Sequence, residues 1–280
     1  MISYPSAAGG VATRVLEAGG GERHVVFVHG TGGRAERWAR NLDPLAEAGY
    51  HAWALDLPGH GFAAKGPGVE CSVPAYRRFL GDALDVLGIG RATIVGTSLG
   101  GHVVASYAVQ SPARVAGIVL VGSMGLVPIG DEARARVQAG ANNQTREGVA
   151  GKLQRVIHDP ALVTEAMAEE EYRVNNSPGA RESFAALGRY IAADLDRDVV
   201  GEQLAASGMP VLLVWGEQDK TVPPAAGEKA RALLPDSRLA LLADAAHTAY
   251  YEKPALFNRV LLDFLAGGGE RHQAPGLRWM

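Results

Sequence analysis

The sequence predicts an α/β fold: a mostly parallel sheet flanked by helices, with a helical segment inserted into it. Three observations lead there. Short apolar runs recur along the chain without a polar face. Longer helical stretches separate them. One long stretch, about 124–206, breaks the rhythm and contains no valine-rich run. Strands apolar on both faces belong in a parallel sheet covered by helices. Strand–helix alternation implies right-handed crossovers.

The elements follow in order. "HVVFVHG" (24–30) reads as a buried strand ending in a loop. A helix is expected near 35–48, then a strand and a Pro/Gly turn in "YHAWALDLPGHG" (50–61). A helix near 73–88 leads to the strand "ATIVG" (92–96) and a helix near 100–111. "VAGIVLVG" (115–122), "PVLLVWG" (210–216) and "RLALLAD" (238–244) are further strands, with helices near 224–234 and 254–266. Between them, "DEARARVQAG", "TREGVAGKLQRVIHD", "PALVTEAMAEEEYRV" and "GARESFAALGRYIAADL" read as polar, alanine-rich helices. The expected organisation is one core over 1–123 and 207–268, a helical insertion over 124–206, and a flexible tail over 269–280, where "GGGERHQAPGLRWM" turns glycine-rich and polar.

Composition narrows the function. A chain of 280 residues is long enough for a well-buried core. A net charge of −3 offers no basic field for nucleic acid or acidic membranes. Cys71 is the single cysteine, which precludes an intrachain disulfide, and its loop-like setting gives no reason for a reactive thiolate. The N-terminal "MISYPSAAGG" lacks the features of a signal peptide, and no apolar run is long enough for a membrane span. A cytoplasmic protein is expected, and homo-oligomerisation stays open. No histidine pair has metal-ligand spacing with nearby acids, and the glycine loops fit neither a dinucleotide fingerprint nor a P-loop. No cofactor and no metal are expected.

"ATIVGTSLGGHVVASYA" (92–108) carries the chemistry. Gly96-Thr97-Ser98-Leu99-Gly100 has the G-x-S-x-G form, with a strand before it and a helix after it, and this puts Ser98 at the apex of a sharp turn. A serine there needs a base, an acid that orients the base, and donors for an oxyanion. His247 lies just beyond the last strand, in a loop at the carboxyl end of the sheet. Asp219, three residues past Gly216, is the preferred acid; Glu217 is its nearest competitor and Asp244 a weaker one. The backbone N–H of Leu99 supplies one oxyanion donor, and that of Thr31 or Gly32 in "VHGTGG" the other. His29 is placed to brace that loop, and His60 in "LPGHG" belongs to a tight turn. His102 falls in the helix after the serine. His24, His51, His158 and His272 have no chemical company.

Together "VHGTGG", "DLPGHG", "GTSLGG" and "WGEQDKTVPP…ADAAHTAYYEKP" resemble the α/β-hydrolase fold superfamily over nearly the whole chain. The resemblance implies a Ser98–Asp219–His247 triad, an oxyanion hole at Thr31 and Leu99, and a cap formed by 124–206. The cap sequence is similar to that of the meta-cleavage-product hydrolases, which cut a carbon–carbon bond in vinylogous 1,5-diketones. Those enzymes usually carry Asn where this chain has Thr97 and Trp where it has Thr248. Their cap arginine aligns with Glu171, two residues before Arg173. The departures bear on the substrate, not on the serine chemistry. The expected activity is hydrolysis of a small apolar carbonyl compound, by carbon–carbon cleavage or by ester or lactone cleavage. A triad-bearing ligand sensor with little turnover is the alternative from another class. A haloalkane or epoxide hydrolase is disfavoured, because it needs a carboxylate at the position of Ser98.

Overall fold

The computed structural model describes residues 1–267 and 273–280. The strands are β1 (Ile2–Ala8), β2 (Val11–Ala18), β3 (Arg23–Val28), β4 (Tyr50–Leu55), β5 (Ala92–Thr97), β6 (Val115–Val121), β7 (Val211–Gly216), β8 (Arg238–Leu242) and β9 (Leu277–Trp279). The helices around the sheet are α1 (Ala39–Glu47), α2 (Val73–Val86) and α3 (Leu99–Gln110), then α9 (Pro224–Leu233), α10 (Ala249–Glu252) and α11 (Pro254–Leu265). Between β6 and β7 run α4 (Asp131–Asn142), α5 (Arg146–Val156), α6 (Glu165–Asn175), α7 (Ala180–Ala193) and α8 (Gly201–Ala206). This helical stretch is called the cap below.

The sheet order is β1-β2-β4-β3-β5-β6-β7-β8-β9. Pairing is parallel from β4 through β8 and antiparallel at both margins. The expected mostly parallel sheet is therefore present. Side chains alternate between two cores, as the period of two requires. Val26, Val28, Ile94, Ile118, Leu120 and Trp215 face one core, together with α2 and α3 residues such as Leu80 and Val103. Val25, Phe27, Val95, Val119 and Val214 face the other, against Leu42 of α1 and Phe257 of α11. Residues on both faces are buried, which explains why these strands read as unbroken apolar runs.

Two sequence expectations are corrected here. The hairpin β1–β2 was not foreseen. Pro5 and the small polar residues of β1 give a weak strand signal, and the strand lies at the sheet edge, where proline is tolerated. The tail was expected to be flexible over 269–280. Residues 269–272, His272 among them, lie outside the described residues. Leu277–Trp279 instead pair with β8, and Leu242↔Leu277 opens the register. The open edge of β8 offers unpaired backbone groups, and three residues suffice to satisfy them. Among the described residues, no helix is long and apolar enough to cross a membrane.

The strand order turns back on itself between β3 and β5: β4 lies on one side of β3, β5 on the other. The loops leaving the carboxyl ends of β3 and β5 therefore diverge and leave a crevice between them, where open α/β sheets place ligands.

Candidate active site

Ser98 sits in that crevice, at the junction of β5 and α3, with φ 55° and ψ −121°. Apart from glycines, only Ser98 and Asp244 have positive φ among the described residues. Such backbone costs about 1–3 kcal/mol and persists where neighbours hold it. The Ser98 N–H donates to Val121 O at 3.0 Å, and Ser98 O accepts from His102 N and Met124 N, each at 3.2 Å. Gly100 is required by close approach, since a Cβ there would lie 2.4 Å from His29 O. Leu99 is the first residue of α3, so its N–H has no acceptor within the helix.

The loop after β3 closes a turn through Gly33 N donating to Gly30 O at 3.0 Å. His29 braces it. Its Nδ1–H donates to Gly30 O at 2.8 Å, and its Nε2 accepts from Leu57 N at 3.0 Å. Asp56 extends the bracing by accepting from Ala35 N at 2.7 Å and Phe62 N at 2.9 Å. The Thr31 hydroxyl is buried without a hydrogen-bond partner.

Burial holds both loop histidines neutral. It pushes His29 down to about 4 and His60 to about 3. In the unfolded chain each takes up a proton near its ordinary value of about 6.5. Stability is therefore fully present above that value and is lost as the pH falls toward 4 for His29 and 3 for His60. The expected slope is about 1.4 kcal/mol per pH unit per histidine. Urea titrations between pH 6.5 and 4.5 check this: His60→Gln should flatten the slope, and an unchanged slope contradicts it.

His247 and Asp219 come together from the loops after β8 and β7. His247 Nδ1 donates to Asp219 Oδ2 at 2.7 Å. Asp219 Oδ1 accepts from Thr221 N at 2.8 Å and Val222 N at 2.9 Å. The Asp219 side chain is fully buried. Glu217, the competitor, instead pairs with Arg278 on β9. The two loops are tied by Gln218, whose N–H donates to Ala245 O and whose Oε1 accepts from Ala245 N. Gly122 lies against the couple with φ +50°, and a Cβ there would stand 2.9 Å from His247 Nδ1 and 3.1 Å from Asp219 Oδ2. Gly122→Ala is expected to lower kcat on the order of 100-fold by displacing the imidazole. Steady-state kinetics check it; a change below threefold refutes it.

Ser98, His247, Thr31 and Thr97 line one cavity of about 60 Å³, together with Lys152 and Glu171 of the cap. Ser98, His247 and Thr31 thus line the same cavity, while Leu99 follows Ser98 directly and Asp219 lies behind His247. Sequence reasoning did not find the charged cluster above them. Glu171 is 1% exposed and forms ion pairs with Lys152 and with Arg37, which follows the glycine loop. Burial and the guanidinium groups of Arg37, Arg34 and Arg155 push the Lys152 ammonium down to about 7. The Glu171 carboxylate in contact with it favours the charged form. Arg173 does not reach the cavity; it pairs with Glu169 on its own helix. Glu252 was also missed. Its carboxylate accepts from Ala246 N at 2.9 Å and from His158 N at 2.6 Å, linking the His247 loop to the cap. Thr248 does the same, donating from both N–H and Oγ1 to Val156 O at 3.1 Å. No local pattern announces these residues, because each acts across a long separation in sequence.

The sequence pattern described as the alpha/beta hydrolase fold matches residues 23–254. This chain belongs to the α/β-hydrolase fold family. Among curated proteins, this α/β-hydrolase is 36% identical over 261 residues to the dihydrolipoyllysine-residue acetyltransferase component of the acetoin cleaving system of Cupriavidus necator, covering 92% of this chain and 67% of that protein. It is 33% identical over 263 residues to a 2-hydroxy-6-oxononadienedioate/2-hydroxy-6-oxononatrienedioate hydrolase of Klebsiella pneumoniae, covering 90% of each. A solved meta-cleavage product hydrolase superposes with a TM-score of 0.83 at 25% identity, covering 94% of this chain and 98% of that one. The family expectation, with its likeness to meta-cleavage product hydrolases, is met.

Proposed function

We propose that this α/β-hydrolase is a serine hydrolase that cleaves a carbon–carbon bond next to a carbonyl, in a substrate of the β-diketone or vinylogous diketone type. The observation that carries the reading is His247, hydrogen-bonded to the buried Asp219 and lining one cavity with Ser98 at a strained strand–helix turn. Relatives named as hydrolases of 2-hydroxy-6-oxononadienedioate support the choice of bond.

In this reading His247 Nε2 takes the proton of Ser98 as Oγ attacks the carbonyl carbon. Asp219 holds the imidazole by Nδ1 and stabilises its cation. The N–H groups of Leu99 and Thr31 receive the oxyanion, each donor worth about 3–4 kcal/mol. When the tetrahedral adduct collapses, the carbon–carbon bond breaks. Its electron pair enters the conjugated fragment, which takes the proton back from His247. Water, deprotonated by His247, then attacks the acyl-enzyme and releases the carboxylic acid and Ser98.

Ester or lactone hydrolysis by the same steps is the second reading. It is favoured by Thr97, Thr248 and Glu171 at positions where the similar enzymes carry other side chains. A product assay over aryl esters, lactones and vinylogous diketones decides between them. Many turnovers per site with the diketone as the best substrate uphold the proposal. A preference for esters or lactones moves it to the second reading, and binding without turnover overturns both.

A further inference from the structure

We propose that Lys152 and Asn175 of the cap are positioning residues for the oxyanion loop, so that the serine site is complete only while the cap is shut. The inference rests on reading Thr31 as an oxyanion donor.

The loop has little holding it from within. Residues 30–33 form one turn, closed by the Gly33 N–H to Gly30 O bond. Gly32, its third residue, has φ +65°, while Thr31 does not have positive φ. That combination is a type II turn. Gly32 directly adjoins Thr31, so a displacement of Gly32 shifts Thr31 and, with it, the direction of the Thr31 N–H. His29 fixes the near end of the turn at Gly30 O. At the far end the Gly33 N–H of the Gly32–Gly33 peptide closes the turn, and the carbonyl of that same peptide is held by the cap: Gly32 O accepts from Lys152 Nζ at 3.2 Å and from Asn175 Nδ2 at 3.3 Å. Two donors on one carbonyl satisfy both of its lone pairs.

Both donors are themselves held. Lys152 of α5 pairs with Glu171 of α6, which also pairs with Arg37, back on the core beside the same loop. Asn175 is 2% exposed, and its Nδ2 also donates to Gln144 Oε1 at 2.9 Å. The ring of contacts runs from the oxyanion loop through the cap and back to the core.

The shut state leaves little room for substrate. A cavity of about 60 Å³ holds a few water molecules, less than a diketone or aryl ester needs. A groove of about 690 Å³ lies on the cap with Asn175 and Gln144 in its wall. Admitting a substrate requires the cap to shift, and a shift of α5 or α6 withdraws the donors from Gly32 O. Closing over the substrate returns them. The oxyanion loop is then ordered in the same movement that excludes water.

The test compares wild type, Lys152→Met, Lys152→Arg and Asn175→Leu, each checked for folding by thermal melting. Turnover of a p-nitrophenyl ester is measured alongside inhibition by an aryl trifluoromethyl ketone, whose tetrahedral adduct needs the oxyanion donors. Lys152→Met is expected to lower kcat on the order of 10- to 100-fold with KM nearly unchanged, and to weaken the ketone by a similar factor. Lys152→Arg, which keeps a donor and the charge, should recover most of the loss. Asn175→Leu should repeat the pattern more weakly, and it carries the test if Lys152→Met does not fold. A change in KM alone, an unaltered ketone affinity, or no rescue by Lys152→Arg overturns the proposal. Ser98→Ala is run in parallel. If it still turns over, the serine reading has failed; if it is inactive while Lys152→Met behaves as wild type, this inference alone has failed.

Discussion

Ser98→Ala is expected to abolish turnover, with a loss on the order of 10⁴- to 10⁶-fold in kcat, and to leave the fold intact. The removed atom is the one that would form the covalent bond, so no neighbour substitutes for it. The fold should not notice. Ser98 is held by its backbone, through Val121 O, His102 N and Met124 N, and alanine keeps all three contacts. Stability should stay within about 1 kcal/mol of wild type. Ser98→Gly sharpens the test. Glycine tolerates φ 55° without strain, so that variant should be equally inactive yet more stable by about 1 kcal/mol. Turnover of a p-nitrophenyl ester and urea unfolding measure both quantities. Activity within tenfold of wild type in either variant rules out Ser98 as the nucleophile.

The second large effect is expected from Asp219→Asn, with a loss of about 10⁴-fold in kcat. The carboxylate is acceptor-only, and every group facing it donates: His247 Nδ1, Thr221 N and Val222 N. An amide cannot serve all three. If its NH₂ faces His247, the imidazole must carry its proton on Nε2, and it can no longer accept one from Ser98. If its NH₂ faces the turn instead, two buried backbone donors lose their acceptor, at about 1–3 kcal/mol each. Activity and stability are thus expected to trade against each other, with activity lost in the first case and stability in the second. Parallel kinetics and thermal melting separate the two. A variant with both kcat and melting temperature close to wild type contradicts the assignment of Asp219.

Parts of the fold were legible because they are local. β5, with all six residues buried, is unbroken in its apolar character, and the turn that follows it is written in consecutive residues. Asp219 and His247 were legible because each directly follows an apolar strand, and such loops gather at one end of a parallel sheet. β1 and β9 were not, because edge strands bury only part of their surface. β9 is three residues long, and its pairing depends on the open edge of β8. Arg173 was a natural candidate on its helix, yet it points to solvent while Glu171, two positions away, is buried. A rotation of about 200° separates neighbours two apart on a helix, but periodicity does not say which of them faces the core.

The sequence by itself therefore determined the parallel strands β3 to β8, the turn bearing Ser98, and the order of the groups along the chain. These depend on patterns of a few residues and on the handedness of strand–helix–strand connections. Only the tertiary structure decided what stands over Ser98. Arg37, Lys152 and Glu171 come from three separate segments, and their buried ionic contact exists only because the cap packs onto the core. Local spacing cannot encode it: the charges gain their partners at the moment they lose water, and that moment is the docking of the cap.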